Sequence, residues 1–472
     1  MVNNKIYDVV VIGAGPGGYR AAFMAADLGL KTALVDPQAH PGGVCLFRGC
    51  IPTKALLHLV KVKEEAIQAK EWGLNFQEPS IDLAKIKSWK DSVIQKLTGG
   101  LGQLTKARQI DYIRARAEFS SLNELSINLV EGGTESLTFK HAIIATGAKP
   151  IKLPFIKEYS DRIMNAEIAL ELRSIPKKLL VIGGGYIGME SATIYKGLGS
   201  KVSLVEATES VMPTMDEELV SIYMRKNKDL FENKYFNTLV TDIKELKSKV
   251  KVSFKRSDGN SFEEDFDSVL LSIGMRPNNQ GIGLDQVGIE LDVRGFIKID
   301  DQCRTNIDHI FAIGDISGGA LLAHKASYQG RIAAEVIAGK KVGFDARAIP
   351  AVVYTDPEIA VAGLSENDCR DQGIKYKAVK FPWAASGRAI ANGDSVGLTK
   401  LLIEENTERI LGAGIIGKNA GDLISEAVLG IEMAARASDI ALSIHPHPTV
   451  SETIMEAAEV FYGHPVHIGS KT

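Results

Sequence analysis

Two short stretches of this sequence hold residues whose types and spacing could do chemistry. The first is Cys45-Leu-Phe-Arg-Gly-Cys50, a close pair of thiols. Such a pair can be a redox disulfide, two buried thiols or half of a metal site. Zinc would need two further ligands, as in the C-x₂₋₄-C pairs of structural sites, and none is nearby. On an ideal helix, residues five apart have Cα atoms about 8.7 Å apart, whereas a disulfide needs less than about 7 Å. The stretch must be wound irregularly if the pair closes, and Gly42, Gly43 and Gly49 give it that freedom. Pro52 suits the first turn of a following helix, whose positive end would favour a thiolate at Cys50. The other two cysteines, Cys303 and Cys369, are isolated and read as small buried hydrophobes.

The second stretch is His445-Pro-His-Pro-Thr-Val-Ser-Glu452. A lone histidine is usually structural, but two histidines, two prolines and a glutamate in eight residues are harder to dismiss. A thiol with a pKa of about 8.5 must lose its proton near neutral pH before it can attack. A histidine whose far nitrogen bonds a carboxylate can take that proton.

The elements that must position these groups come from an internal near-repeat. Val9–Asp36 reads VVVIGAGPGGYRAAFMAADLGLKTALVD and Leu179–Glu206 reads LLVIGGGYIGMESATIYKGLGSKVSLVE, with eleven identities in 28 ungapped positions. Each is an apolar run, G-x-G-x-x-G, a helical pattern, a second apolar run and a terminal acid, the context that gives this motif meaning. Gly13 and Gly183 allow the tight turn, Gly15 and Gly185 let backbone approach a pyrophosphate, and Gly18 and Gly188 let helix and strand pack closely. The pyrophosphate would sit at a helix N-terminus. Asp36 and Glu206 can accept hydrogen bonds from a ribose diol. Two complete units imply two bound dinucleotides.

Similar strands, FKHAIIATG at Phe139–Gly147 and FDSVLLSIG at Phe266–Gly274, close the two units. Residues 148–275 then form a unit inserted in the first, which takes residues 1–147 and 276–348. Beyond it, residues 349–472 carry strands such as Ala351–Tyr354 and Leu398–Ile403 and a helix over Asp422–Ala435, a third, α+β domain. The predicted fold class is α/β, two Rossmann-like domains with one inserted in the other, plus this C-terminal domain.

Composition sets the limits. The chain has 472 residues, 45% hydrophobic and 24% charged, enough for about three globular domains. Net charge is −3, and the strongest basic clusters, Pro176-Lys-Lys and Gly339-Lys-Lys, are too small for a nucleic-acid footprint. The apolar stretches Val9–Tyr19 and Leu179–Met189 fall short of the roughly 20 residues of a membrane span. With no signal-peptide core and no transit pattern, a cytoplasmic protein without membrane insertion is expected.

GGVCLFRGCIPTK at Gly42–Lys54 closely resembles the redox-active disulfide of the flavin-dependent pyridine nucleotide-disulfide oxidoreductases. IPAVVYTDPEIA, FPWAASGRA and HPHPTVSET resemble the dihydrolipoamide dehydrogenase branch, and the likeness runs from Tyr7 to about Tyr462. The resemblance implies FAD in the first unit, NAD in the second and a homodimer built through the third domain. It implies an enzyme that oxidises dihydrolipoamide with NAD, serving lipoyl-bearing E2 or H-protein components of multienzyme complexes. Residue by residue, it makes Cys45 the thiol that exchanges with substrate and Cys50 the thiolate against the flavin. Lys54, otherwise a helix-surface lysine, would pair with Glu190. Gly147, Asp315, Ala117 and Ala323 would join Gly13, Gly15, Gly18, Asp36 and Lys54 around FAD. Val240 and Gly274 would join Gly183, Gly185, Gly188 and Glu206 around NAD. His447 becomes the base, oriented by Glu452 and entering the partner's site, and His445 the bystander.

Three departures from that pattern stand out: Asp36 where glutamate is commoner, Phe47-Arg48 for asparagine-valine, and Met275 for an arginine. The rivals are weaker. A reductase using NADPH needs arginines after Glu206, and Ala207-Thr-Glu-Ser-Val-Met supplies none. A mercuric reductase usually ends in paired cysteines, and this chain ends FYGHPVHIGSKT. A purely binding subunit would not need Cys45, Cys50 and His447 together.

Overall fold

The apolar run of the first glycine unit becomes strand Ile6–Ile12, and the helical pattern after it becomes helix Pro16–Asp27. We describe the chain from a computed structural model that covers residues 6–77 and 79–469. The first five residues of the first expected range, and the last three of the third, therefore lie outside the described residues. Ile6–Ile12 lies at the centre of a seven-stranded sheet, paired in parallel with Thr32–Val35 on one side and Thr134–Ile144 on the other. The register places Val11 beside Leu34 and Ile143. Ile310–Ala312 returns late in the chain to pair in parallel with Ile144 and its neighbours. Every residue of Thr32–Val35 is buried, as expected for a parallel strand covered on both faces.

The second glycine unit repeats the plan. Lys178–Ile182 pairs in parallel with Lys201–Val205 and Ser268–Leu271, and helix Tyr186–Gly197 follows it. The two closing strands differ. In the first unit one unbroken strand, Thr134–Ile144, pairs antiparallel through its first half and parallel through its second. In the second, the expected strand Phe266–Gly274 is split at Asp267. Ser261–Phe266 belongs to a three-stranded antiparallel sheet with Val250–Arg256 and Thr238–Glu245, and Ser268–Leu271 belongs to the parallel one. Asp267 makes the change of direction: its N–H donates to the Lys178 carbonyl and its carboxylate accepts from the Lys178 N–H at 2.8 Å. Chain enters and leaves this region side by side, through the antiparallel pair Ala148–Pro150 and Met275–Pro277.

The last region is a five-stranded antiparallel sheet in the order Ala351–Val353, Glu358–Gly363, Ile410–Gly417, Leu398–Glu404, Tyr376–Pro382. Its expected helix over Asp422–Ala435 spans Ala420–Glu432, ending just before Ala434 takes a positive φ of 53°. Two seams tie the regions together. Helix Cys50–Gln68 crosses helix Tyr186–Gly197 so closely that a Cβ on Gly197 would lie 2.1 Å from Val60 Cγ1. Lys400, only 3% exposed on its strand, is held by Asp216 at 2.8 Å, by Glu218 and by Glu366. The largest apolar core respects no boundary, running from Leu56 and Val60 through Met189 and Leu204 to Val353, Ile359 and Ile416.

One run of helix, residues 43–72, is long and apolar enough by composition to cross a membrane. It is broken at Gly49, and one side of it, with Leu56 and Val60, packs into this shared core.

Candidate active site

Each glycine loop combines glycines the fold needs with one it does not. Gly13 and Gly183 have φ near +99° and +98°, and a Cβ on either would lie 2.5 Å from a carbonyl oxygen, of Ala145 or Ser272. A Cβ on Gly18 or Gly188 would strike the carbonyl of Gly13 or Gly183. Gly15 and Gly185 are different. Their φ values of −70° suit any residue, nothing lies within 4 Å of a Cβ on Gly185, and only the Gly43 Cα, at 4.0 Å, meets one on Gly15. Neither following helix has a side-chain cap, so its first N–H groups are unspent. Open space and uncapped N–H groups fit a pyrophosphate at both loops. Buried Thr146 Oγ1, beside Gly147, also lacks a partner among the described residues, as a cofactor contact would leave it.

The other candidates gather around these loops. Asp36 accepts from the Ala14 N–H at 2.8 Å, and Glu206 accepts from the Gly184 N–H at 2.6 Å and from Thr208. The Ile313 N–H donates to the Ile144 carbonyl, bringing the turn Gly314–Ser317, with Asp315, to the end of strand Thr134–Ile144. Burial pushes the Asp315 carboxyl up, and the neighbouring Lys325 opposes this. Ala323 begins the helix Ala323–Ile337, which packs on Pro16–Asp27. Ala117 is buried in the core shared with Ile12 and Val35. Val240 follows Thr238, whose N–H bonds the Glu206 carbonyl, and Gly274 accepts from the Ile151 N–H beside the crossing hairpin.

The cysteines lean on the first loop. The Gly42 N–H donates to the Ala14 carbonyl, and Gly43 packs on Gly15. Cys45 lies in the short helix Gly43–Arg48 and Cys50 opens the helix Cys50–Gln68. Between them Gly49, at φ −141° and ψ −108°, breaks the winding. Both thiols are free, and each acts on the other's titration. The Cys45 thiol, aided by the Lys54 ammonium and opposed by burial, pulls the Cys50 thiol down to about 7, and Cys50 pushes the Cys45 thiol up. Phe47 turns toward Gly42 and Thr98, and Arg48 reaches Glu167 at 3.5 Å.

One turn into the helix, Lys54 Nζ donates to both Glu190 oxygens, at 3.0 and 2.9 Å. Glu190 is 3% exposed. A third residue clasps this pair, and sequence reasoning did not single it out. Tyr354 lays its ring 4.3 Å from Lys54 Nζ, and its N–H donates to Glu190 Oε1 at 3.0 Å. In the sequence it reads as one more strand aromatic within VVYTDPEIA. Tyr19 and Tyr186 also lie in the electrostatic reach of Cys50.

The two histidines separate cleanly. His445 is half-buried with its side chain turned in, Nδ1 on the Ser443 carbonyl and Nε2 on Glu426 at 2.8 Å. His447 bonds Glu452 through Nδ1 at 2.9 Å, and its side chain is 74% exposed, which leaves Nε2 uncommitted among the described residues. Burial raises the Glu452 carboxyl, but the Thr449 N–H and His447 outweigh it and the net shift is down. Among the described residues nothing joins His447 to Cys45 or Cys50 of the same chain.

Residues 7–330 match the pyridine nucleotide-disulphide oxidoreductase family and residues 349–458 match the dimerisation domain of that family. The chain belongs to this family. Among curated members, it is 47% identical to dihydrolipoyl dehydrogenase of Vibrio cholerae, covering 96% of this chain and 95% of that one. It is 44% identical to dihydrolipoyl dehydrogenase of Geobacillus stearothermophilus, covering 98% of each. Among solved oxidoreductase structures, LpdA of Mycobacterium tuberculosis superposes with a TM-score of 0.89 at 25% identity, over 96% of this chain and 99% of that one. The HOCl-induced flavoprotein disulfide reductase RclA of Escherichia coli superposes at 0.85 and 25%, over 96% and 99%. The apolar side chains of Leu429, Met433, Leu442 and Ile444 stand exposed on the region that matches the dimerisation domain.

Proposed function

We propose that this oxidoreductase is an NAD-dependent dihydrolipoyl dehydrogenase that acts as a homodimer on lipoyl groups carried by E2 or H-protein partners in the cytoplasm. The observation that carries the reading is the pair of free thiols Cys45 and Cys50 on a stretch packed against the first glycine loop and backed by Lys54–Glu190. The near-full-length likeness to dihydrolipoyl dehydrogenases supports the substrate class. In its oxidised form the pair is a disulfide. A substrate thiolate attacks Cys45, forming a mixed disulfide and expelling Cys50 as a thiolate, the better leaving group because its pKa is low. The second substrate thiol gives its proton to Nε2 of the partner's His447 and displaces Cys45, which releases the cyclic disulfide. Nε2 passes that proton to the departing Cys45 sulfur, so two electrons and one proton then remain on the pair, the proton of the first substrate thiol having gone to solvent. FAD, held by the first loop, and NAD, held by the second, supply the hydride transfer that clears them when bound. The sum is dithiol plus NAD⁺ giving disulfide, NADH and H⁺.

Glu206 decides between nucleotides. Its carboxylate stands at the end of the second unit's strand, and residues 207–212 offer no arginine for a 2′-phosphate. Facing a carboxylate, that phosphate should cost about 2–3 kcal/mol or more. Steady-state oxidation of free dihydrolipoamide should favour NAD over NADP by at least about 100-fold in kcat/KM. Equal efficiency with both nucleotides, or no turnover with either, would sink the reading.

A further inference from the structure

Lys54 and Glu190 present opposite charges to Cys50, the lysine favouring its thiolate and the glutamate opposing it. A lysine bound by both carboxylate oxygens is largely neutralised at a distance, so its net effect depends on which partner sits nearer the sulfur. Among the described residues, the one shown to touch both members is Tyr354, just past strand Ala351–Val353 in the third region. Its N–H draws the Glu190 charge toward its own backbone, and the negative face of its ring receives the Lys54 ammonium. We propose that Tyr354 is a positioning residue, whose ring fixes the Lys54 ammonium where its charge reaches Cys50 despite the pairing with Glu190.

This makes the reactivity of a thiol in the first unit depend on the seating of the third. The phenol hydroxyl has no part in it, since the ring face and the backbone N–H make the contacts. A change of the Tyr354 side chain keeps the backbone N–H on Glu190 and acts through the ring contact with Lys54. The groups that face Cys50 electrostatically are Cys45, Lys54, Glu190, Tyr19, Tyr186 and Tyr354 itself.

The inference rests on the reading of Cys50 as the thiolate, and the test separates the two. In the flavin-loaded dimer carrying Cys45→Ala, the influence of Cys45 is gone and Lys54 is the main favourable charge left. The reduced protein is alkylated with iodoacetamide from about pH 6 to 10, the adduct is located on Cys50 by peptide mapping, and the midpoint of the rate is read. Adding Tyr354→Leu should raise the midpoint by about 0.5–1 pH unit, the size of a partly desolvated cation–π contact. Tyr354→Phe should leave the midpoint within about 0.2 unit of the parent. Tyr354→Met, which fills more of the space, should shift it as Leu does and serves if the Leu variant folds poorly. An unmoved midpoint in both Leu and Met variants overturns the proposal and leaves the thiolate reading intact. Equal shifts in Phe and Leu also overturn it, because the hydroxyl would then be responsible. A parent midpoint at or above that of an ordinary thiol overturns both, since no lysine charge would then reach Cys50.

Discussion

At the scale of single residues, the proton acceptor is the part most open to challenge, because His447 stands 74% exposed and apart from its own cysteines. If it is the base, His447→Gln should slow dithiol oxidation by about 10²–10⁴-fold. NADH-driven reduction of artificial acceptors should survive, because it needs no proton from substrate. Glu452→Gln should cost less, since Glu452 only orients and polarises the imidazole. The ratio of the two activities is the readout, and a parallel loss of both would make His447 a packing residue. The cysteine roles have their own signature. Cys50 is drawn down to about 7, so its thiolate prevails above that pH and is lost as pH falls through it. The long-wavelength absorbance of a thiolate lying against flavin should therefore fade in the reduced enzyme between about pH 8 and 6. Cys45→Ser should keep that band and Cys50→Ser should lose it. A band that follows Cys45 reverses the assignment. Much of this was legible because Cys45, Cys50 and His447-Pro-Thr sit in unusual local company. Tyr354 was not, because its only distinction is the ammonium of a lysine 300 residues earlier in the chain.

At the scale of elements, the glycine loops divide their residues between fold and ligand, and the two roles can be pulled apart. Gly183→Ala puts a Cβ 2.5 Å from a carbonyl at a positive φ, so it should lower the melting temperature whether or not NAD is present. Gly185→Ala meets nothing within 4 Å at an ordinary φ, so it should leave melting unchanged and raise KM for NAD about 10-fold or more. The same KM in Gly185→Ala as in the parent would mean that no phosphate approaches that loop. The repeat that revealed these loops reads easily, since strand, turn, helix and acid follow one another in 28 residues. The split at Asp267 does not. Phe266–Gly274 has the apolar pattern of one strand, and only the pairing of Asp267 with Lys178, far off in sequence, turns the chain from one sheet to the next. The early start of helix Ala420–Glu432 is likewise a matter of tertiary context, its Asn419 adopting a left-handed φ of 62°.

At the scale of the whole molecule, the site is expected to be shared between two subunits. Mixing Cys45→Ser subunits with His447→Gln subunits should restore part of the dithiol activity, because one hybrid site would regain both an intact cysteine pair and an intact base. No recovery after confirmed subunit exchange would mean that each chain completes its own site. The exposed Leu429, Met433, Leu442 and Ile444 lie on the region matching the dimerisation domain, where such an exchange would bury them. The large apolar core that passes through all three regions has a further consequence, and it concerns melting rather than chemistry. Each region also keeps a core of its own, and such cores could unfold one after another. Val60, Met189 and Ile416 nonetheless belong to one shared cluster, so opening any region exposes part of the others, and calorimetry should record a single cooperative endotherm. A ligand on one region then steadies all of them. NAD at about a hundred times its Kd adds about 2.7 kcal/mol to the folded chain, and in a single cooperative unit that increment also slows the escape of flavin from its seat in the first region. Two resolved endotherms, or flavin release indifferent to NAD, would mean the shared core is too loosely coupled to act this way.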